Sequence, residues 1–171
     1  LLANGASGVA IETEEDKAAF AELLDSICMD MALRIASDGE GATHLMVVEA
    51  YGLPTEKDAK MVARSIAGST LFKAAVFGKD ANWGRIMAAA GYSGADVDPT
   101  KADCILKSAA GEVVVMENGF GTDFSEELAK EVLTEHDITV IVNFHSGDGE
   151  AKAFGCDLTY DYVKINGDYR S

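Results

Sequence analysis

Phe72-Lys73-Ala74-Ala75-Val76-Phe77-Gly78-Lys79-Asp80-Ala81-Asn82-Trp83-Gly84-Arg85-Ile86, residues 72–86, is the stretch on which the reading of the fold turns. Its first half is an apolar run with aromatic and β-branched members, which predicts a buried strand. Gly78 then lets the chain turn, Asp80 or Asn82 can cap, and residues 83–90 have the composition of a helix. A strand that passes through a polar turn into a helix is where α/β proteins build ligand sites. Lys79, Asp80, Asn82 and Arg85 crowd around the sole tryptophan, Trp83, which is rich chemistry for a connection. A capped helix whose indole fills the core accounts for the same residues.

The rest of the chain extends this α/β pattern. Thr13 predicts a helix cap, with Glu14, Glu15 and Asp16 in the first turn, where the helix dipole favours anions. Phe20, Leu23, Leu24, Ile27, Met31 and Ile35 recur at helical spacing, widened by Cys28 and Met29, and predict a core-packing helix. Leu45-Met46-Val47-Val48 is expected as a strand. Thr55 and Asp58 resemble a capping box for a helix whose buried face is Ala59, Val62, Ala63 and Ile66, ended by Gly68. The predicted order is therefore β-α-β-α, with helices on a mixed or partly parallel sheet.

Beyond an acidic loop at residues 93–100, which marks a possible sub-boundary near 92–102, the pattern changes. Two short strands around Cys104-Ile105-Leu106 and Val113-Val114-Val115 are joined by Ser108-Ala109-Ala110-Gly111 as a hairpin. A helix is expected over residues 126–135, with Leu128, Val132 and Leu133 inward. Residues 138–144 form a β-branched run suited to a central strand, and residues 151–157 return as another. The tail from Cys156 carries Tyr160, Tyr162 and Tyr169, more aromatic than a frayed terminus, and is expected to be docked.

Charge and composition remove several function classes. With 48% hydrophobic residues the chain folds, and at 171 residues it can bury a sizeable core. A formal net charge of −15, from 29 acidic and 14 basic residues, gives no general attraction for nucleic acid or anionic lipid. No apolar run approaches the roughly 20 residues of a membrane span. Cys28, Cys104 and Cys156 are odd in number and scattered, which points to reduced, mostly buried thiols in a cytoplasmic protein. No His/Cys cluster has metal-ligand spacing. His145 and Ser146 do not form a hydrolase pair, because neighbours on a strand point to opposite faces.

Two turns merit attention. Asn4-Gly5-Ala6-Ser7-Gly8 is a small-residue turn, able to bring backbone N–H groups near a ligand or simply to reverse the chain. In Ser37-Asp38-Gly39-Glu40-Gly41-Ala42-Thr43 a carboxylate stands between two glycines, and Glu40 is the one long side chain able to reach into the space they open. An exposed turn acid reads equally well.

Four motifs in order, LLANGASG at the start, DGEGAT at residues 38–43, KAAVFGKDANWGRI at 73–86 and GCDLTYDYVKINGDYRS at 155–171, resemble the β chain of ornithine acetyltransferase. That family is also known as glutamate N-acetyltransferase, or the bifunctional arginine-biosynthesis acetyltransferase. The resemblance covers essentially the whole chain. It implies an α/β fold, a layered sandwich on a mixed sheet like DmpA and ornithine acetyltransferase. It also implies a precursor that cuts itself into α and β chains, an α2β2 cytoplasmic assembly, and acetyl transfer from N2-acetylornithine to glutamate through an acetyl-threonine. A threonine at the new β terminus is the implied nucleophile, with its own amine as base. The implied oxyanion donors are backbone N–H groups of the α chain.

This chain lacks that threonine, and the expectation is that residues 1–171 are the C-terminal part of the β chain, with the nucleophile upstream of Leu1 and no catalytic residue of their own. What the resemblance carries over is substrate binding. Glu40 matches a position that suits an ammonium group, and Asn166 and Ser171 match two further contacts in the tail. Thr43-His44 stands where Thr-Lys is usual, Ala81 where Pro is usual, and Ser171 where Thr is usual. No cofactor or metal is implied, although acetyl-CoA is a possible alternative acetyl donor. Two other classes stay open: a non-catalytic binding or assembly domain, and a self-cleaving aminopeptidase of similar architecture, which the arginine-pathway tail disfavours.

Overall fold

The computed structural model describes residues 4–169. Residues 1–3, where the end of a strand is expected, and Ser171 lie outside the described residues. The chain divides into two compact units, Leu1–Arg34 and Ile35–Ser171.

The first unit holds the glycine turn and most of helix α1 (Glu14–Ser37). The turn closes through the Gly8 N–H to the Gly5 carbonyl at 3.1 Å. Thr13 caps α1 as expected: its hydroxyl accepts from the Asp16 N–H at 3.0 Å, and Asp16 accepts from the Thr13 N–H at 3.1 Å. The apolar stripe of α1 is not buried, however. No residue of the helix is buried, and Leu23 and Ile35 are 60% and 71% exposed. Helical periodicity reports only which side chains share a face. A unit with one helix has no second layer of its own in which to bury it.

The second unit is built on a six-stranded sheet of order β4-β3-β2-β5-β1-β6: β1 Leu45–Leu53, β2 Asp103–Ser108, β3 Gly111–Glu117, β4 Phe120–Gly121, β5 Asp137–Asn143 and β6 Gly149–Cys156. Only β1 and β5 run parallel; every other neighbouring pair is antiparallel. The hairpin is where expected, with Ser108 opposite Gly111, and β5 is interior, paired on both edges. Residues 92–102 form a loop and a 3-10 turn, Pro99–Lys101.

One sheet face carries Met46, Val48 and Ala50 beside Ile138, Val140 and Val142, with Cys104 and Leu106 next in register, all buried. Helix α2 (Glu56–Gly68) contributes Ala59, Val62, Ala63 and Ile66 to the same core. Thr55 and Asp58 pair at its start as expected: the Thr55 hydroxyl accepts from the Asp58 N–H at 3.1 Å and donates to Asp58 Oδ2 at 2.6 Å. Helix α5 (Glu126–Val132) is shorter than expected and adds Ala129, Val132 and, just past its end, Leu133. Cys104 is fully buried, and burial pushes its thiol up to about 12. Cys156 is half-buried and Cys28 is exposed, so the expectation of mostly buried thiols holds fully only for Cys104.

The predicted strand at residues 72–77 is a helix, α3 (Thr70–Phe77), so β1 is followed by three helices in succession rather than by β-α-β-α. The reason is local. Ser69 ends α2 by donating its N–H to Ile66, and its hydroxyl then accepts from the Phe72 N–H at 3.4 Å, starting α3 in the same residue. Phe72, Ala75 and Val76 are the buried positions, a spacing of three and four rather than two. Val76 is the only β-branched residue of that run, and its alanines favour a helix. The second half reads as expected: Asn82 caps α4 (Trp83–Gly91) by accepting from the Arg85 N–H at 3.1 Å.

Candidate functional site

Two polar segments 113 residues or more apart in sequence meet beyond the start of β1 and the end of β6. One is the glutamate-glycine turn at residues 38–44; the other runs from Cys156 into helix α6 (Tyr160–Asp168). Close approach requires a glycine at position 41, and Gly39 lies against the Cys156 side chain. A Cβ on Gly39 would stand 2.6 Å from Cys156 Sγ. Gly41 has φ +66°, and a Cβ there would stand 2.8 Å from the Tyr162 backbone nitrogen.

A buried carboxylate locks the two segments together. Asp157 Oδ1 accepts from the N–H groups of Thr43 at 2.8 Å and His44 at 3.0 Å. Its Oδ2 accepts from the Thr43 hydroxyl at 2.5 Å and faces His44 Nδ1 at 2.8 Å. The Asp157 N–H returns a bond to the His44 carbonyl at 3.2 Å. Burial alone would raise the Asp157 carboxyl; the His44 ring, the Thr43 hydroxyl and the two backbone donors hold it below the usual carboxylate range. His44, where the resemblance leads one to expect a lysine, is thus turned inward against this acid and is itself buried.

Thr159 completes the clamp. Its hydroxyl donates to the Gly41 carbonyl at 2.6 Å and accepts from the Tyr162 N–H at 3.1 Å, so one side chain holds the turn and caps α6. One turn and a half along α6, Asn166 donates its amide to Glu40 Oε2 at 2.9 Å and to the Tyr162 carbonyl at 2.9 Å. Glu40 and Asn166, 126 residues apart in sequence, are therefore hydrogen-bonded, and both are exposed. Among the described residues, neither Glu40 Oε1 nor the Asn166 amide oxygen takes a side-chain hydrogen bond, which leaves two acceptors beside each other. Ser171, the third expected contact, lies outside the described residues.

The tail is docked at its root rather than along its length. Asp157 and Thr159 are buried, while no residue of α6 is, and Tyr160 and Tyr169 are 83% and 78% exposed. The stretch at residues 72–86 supports that root. The Lys73 carbonyl accepts from the Leu158 N–H at 3.2 Å, and the Phe77 and Tyr160 rings meet edge to face at 5.5 Å. Its polar residues otherwise serve the connection itself. Asn82 donates to Asp80 at 2.9 Å, Arg85 to the Leu71 carbonyl at 2.8 Å, and Trp83 covers Gly121 so closely that a Cβ there would lie 2.8 Å from the indole.

Other polar groups are satisfied within the scaffold. His145 Nε2 faces Asp103 Oδ2 at 2.7 Å, while Ser146 donates to the Phe144 carbonyl at 2.9 Å, so the two neighbours serve different partners. Among the described residues no three metal-ligating side chains come together, and none of the helices is long and apolar enough to cross a membrane.

Sequence reasoning missed Asp157, Thr159 and His44. Thr159 had a readable signal, a threonine placed to cap the aromatic segment after it. Asp157 had none, since a lone acid between a strand and a cap is indistinguishable from a solvated one.

Comparison with known proteins places the chain in a family. The chain is 54% identical over 152 residues to the arginine biosynthesis bifunctional protein ArgJ of Caldanaerobacter subterraneus, covering 89% of this chain and 38% of that protein. It is 45% identical over 171 residues to the glutamate N-acetyltransferase of Methanopyrus kandleri, covering 100% of this chain and 44% of the relative. The crystal structure of arginine biosynthesis bifunctional protein ArgJ from Bacillus halodurans superimposes with a TM-score of 0.86 at 44% identity, over 96% of this chain and 77% of that one. The chain thus spans less than half the length of these curated relatives. The ArgJ family model matches residues 1–171 in full: the chain belongs to the ArgJ family.

Proposed function

We propose that this chain is the C-terminal part of the β subunit of an acyltransferase that moves the acetyl group of N2-acetylornithine to glutamate, in arginine biosynthesis. Its substrate-binding residues would be Glu40, Asn166 and Ser171. The observation that carries the proposal is the Glu40–Asn166 hydrogen bond, which brings a carboxylate and an amide from distant segments to one exposed spot with acceptors to spare. A carboxylate there suits the ammonium group of an amino-acid substrate, and a charge-assisted bond of this kind is worth about 1.5–3 kcal/mol.

The chemistry belongs to a threonine outside these 171 residues, the first residue of the β chain released when the precursor cuts itself. Its hydroxyl attacks the acetyl carbonyl while its own amine takes the proton. Backbone N–H groups of the α chain stabilise the oxyanion. The C–N bond breaks, ornithine leaves with the proton, and an acetyl-threonine ester remains. The neutral amine of glutamate then attacks the ester, the C–O bond breaks, the threonine's own amine passes the proton lost by the attacking nitrogen to the departing threonine oxygen, and N-acetylglutamate is released. The enzyme works as an α2β2 assembly in the cytoplasm, without a cofactor.

The test is the transfer reaction of the protein expressed from its full gene. Ornithine release from acetylornithine beyond one equivalent per active site should require glutamate, and reciprocal plots at several glutamate concentrations should be parallel, as two half-reactions through one covalent intermediate demand. Absence of glutamate-dependent ornithine release would overturn the proposal. The word "bifunctional" in the names of several relatives favours a second reading, in which acetyl-CoA also donates the acetyl group. The same assay with acetyl-CoA in place of acetylornithine decides it.

A further inference from the structure

We propose that Asp157 is a positioning residue for substrate binding: its buried carboxylate sets the turn that presents Glu40 to the ligand. The inference rests on the reading of Glu40 as a substrate contact, and adds a residue that itself touches no ligand.

The Asp157 side chain is fully enclosed, with 0% exposure, so it cannot reach a small molecule bound at Glu40. All the partners of its two oxygens, two N–H groups, a hydroxyl and a ring nitrogen, come from Thr43 and His44. Those residues are three and four places beyond Glu40, with Gly41 between at positive φ. Nearer Glu40, Thr159 donates to the Gly41 carbonyl, and Asn166 to Glu40 itself. The turn is thus tied at Gly41 and again at Thr43 and His44 by residues of a single segment, 157–159, and that segment also starts the helix that carries Asn166. Release of the carboxylate frees the turn at Thr43 and His44 while the helix and its Asn166 stay in place. The predicted consequence is a Glu40 carboxylate that no longer meets the Asn166 amide, with the sheet and the α6 cap unaffected.

A structural brace alone would cost stability; a positioning residue must act through Glu40. The experiment is therefore a double-mutant cycle in the protein expressed from its full gene, with KM and kcat measured for acetylornithine at fixed glutamate. Asp157→Asn keeps the shape and removes the charge that holds the donors. It is expected to raise KM about tenfold with kcat changed less than about twofold, as for one weakened charge-assisted contact. Combined with Glu40→Gln, Asp157→Asn is expected to raise KM no further. Thr43→Val, which removes the hydroxyl that donates to Asp157 and also meets His44 Nδ1 at 2.9 Å, should give the same pattern at smaller size and serves if Asp157→Asn does not fold.

If Glu40→Gln alone leaves KM unchanged, the substrate reading of Glu40 fails, and the positioning role with it. If Glu40→Gln raises KM but Asp157→Asn and Thr43→Val do not, or if their effects simply add to it, the positioning role alone is overturned.

Discussion

Glu40→Gln, in the protein expressed from its full gene, is expected to lower kcat/KM for acetylornithine by about 10- to 150-fold, chiefly through KM. The range is the worth of one hydrogen bond to a charged group, about 1.5–3 kcal/mol. The substitution keeps the length and the acceptor oxygen, so the bond from the Asn166 amide survives and the turn between Gly39 and Gly41 has no cause to move. Only the negative charge facing the substrate ammonium is lost. Because that ammonium is bound in both ground and transition states, the loss falls on binding rather than on the chemical step. Steady-state kinetics with acetylornithine as the varied substrate checks it. An unchanged KM in a variant with the native far-ultraviolet spectrum would remove Glu40 from the site.

The largest effect on the fold is expected from Gly52→Ala. Gly52 lies near the end of β1 at φ +68°, where the pairing with β6 shifts register between Ala50 and Leu53. A methyl there would collide with Asn143 Oδ1 and stand 2.6 Å from the backbone nitrogen of His145. The strained φ costs about 1–2 kcal/mol, and displacing a well-packed backbone about 1–3 kcal/mol more. The sum, about 2–5 kcal/mol, corresponds to an apparent melting point lower by roughly 5–20 °C for a domain of this size. Gly68→Ala is the control. Gly68 closes α2, and a methyl added there would have nothing within 4 Å, so alanine should be neutral or slightly stabilising. Equal melting points for the two variants would mean that the close approach of β1 to the loop after β5 is not as described.

The sheet was legible because its strands are written in residues that suit few other places. The β-branched run at residues 138–144 suited an interior strand, and two short apolar runs joined by Ser108-Ala109-Ala110-Gly111 marked the hairpin. The caps at Thr55 and Asn82 were equally direct, since a side-chain acceptor three residues ahead of an N–H is a local event. The run at residues 72–77 was not legible: six mostly apolar residues fit a buried strand or a buried helix face, and the deciding residue, Ser69, precedes the run. The stripe on α1 was read correctly as a face and wrongly as core, because periodicity is blind to what lies opposite.

The site shows the same division. Glu40 between two glycines was visible as an oddity, and its meeting with Asn166 was reachable only through the resemblance, because nothing local links residues 126 apart. The glycines are now explained by the backbone of α6 and the sulfur of Cys156, both distant in sequence. Asp157 was invisible for the complementary reason: its partners are backbone and side-chain donors that the fold, not the sequence, gathers.

The measurement that bears most directly on the acetyltransferase reading is the intact mass, under denaturing conditions, of the protein expressed from its full gene, before and after acetylornithine is added. Two chains are expected, the smaller beginning with threonine and including residues 1–171. That chain should gain the mass of one acetyl group on incubation with acetylornithine and lose it again when glutamate follows. A single uncut chain that takes up no acetyl group would contradict the self-processed threonine nucleophile and, with it, the proposed function.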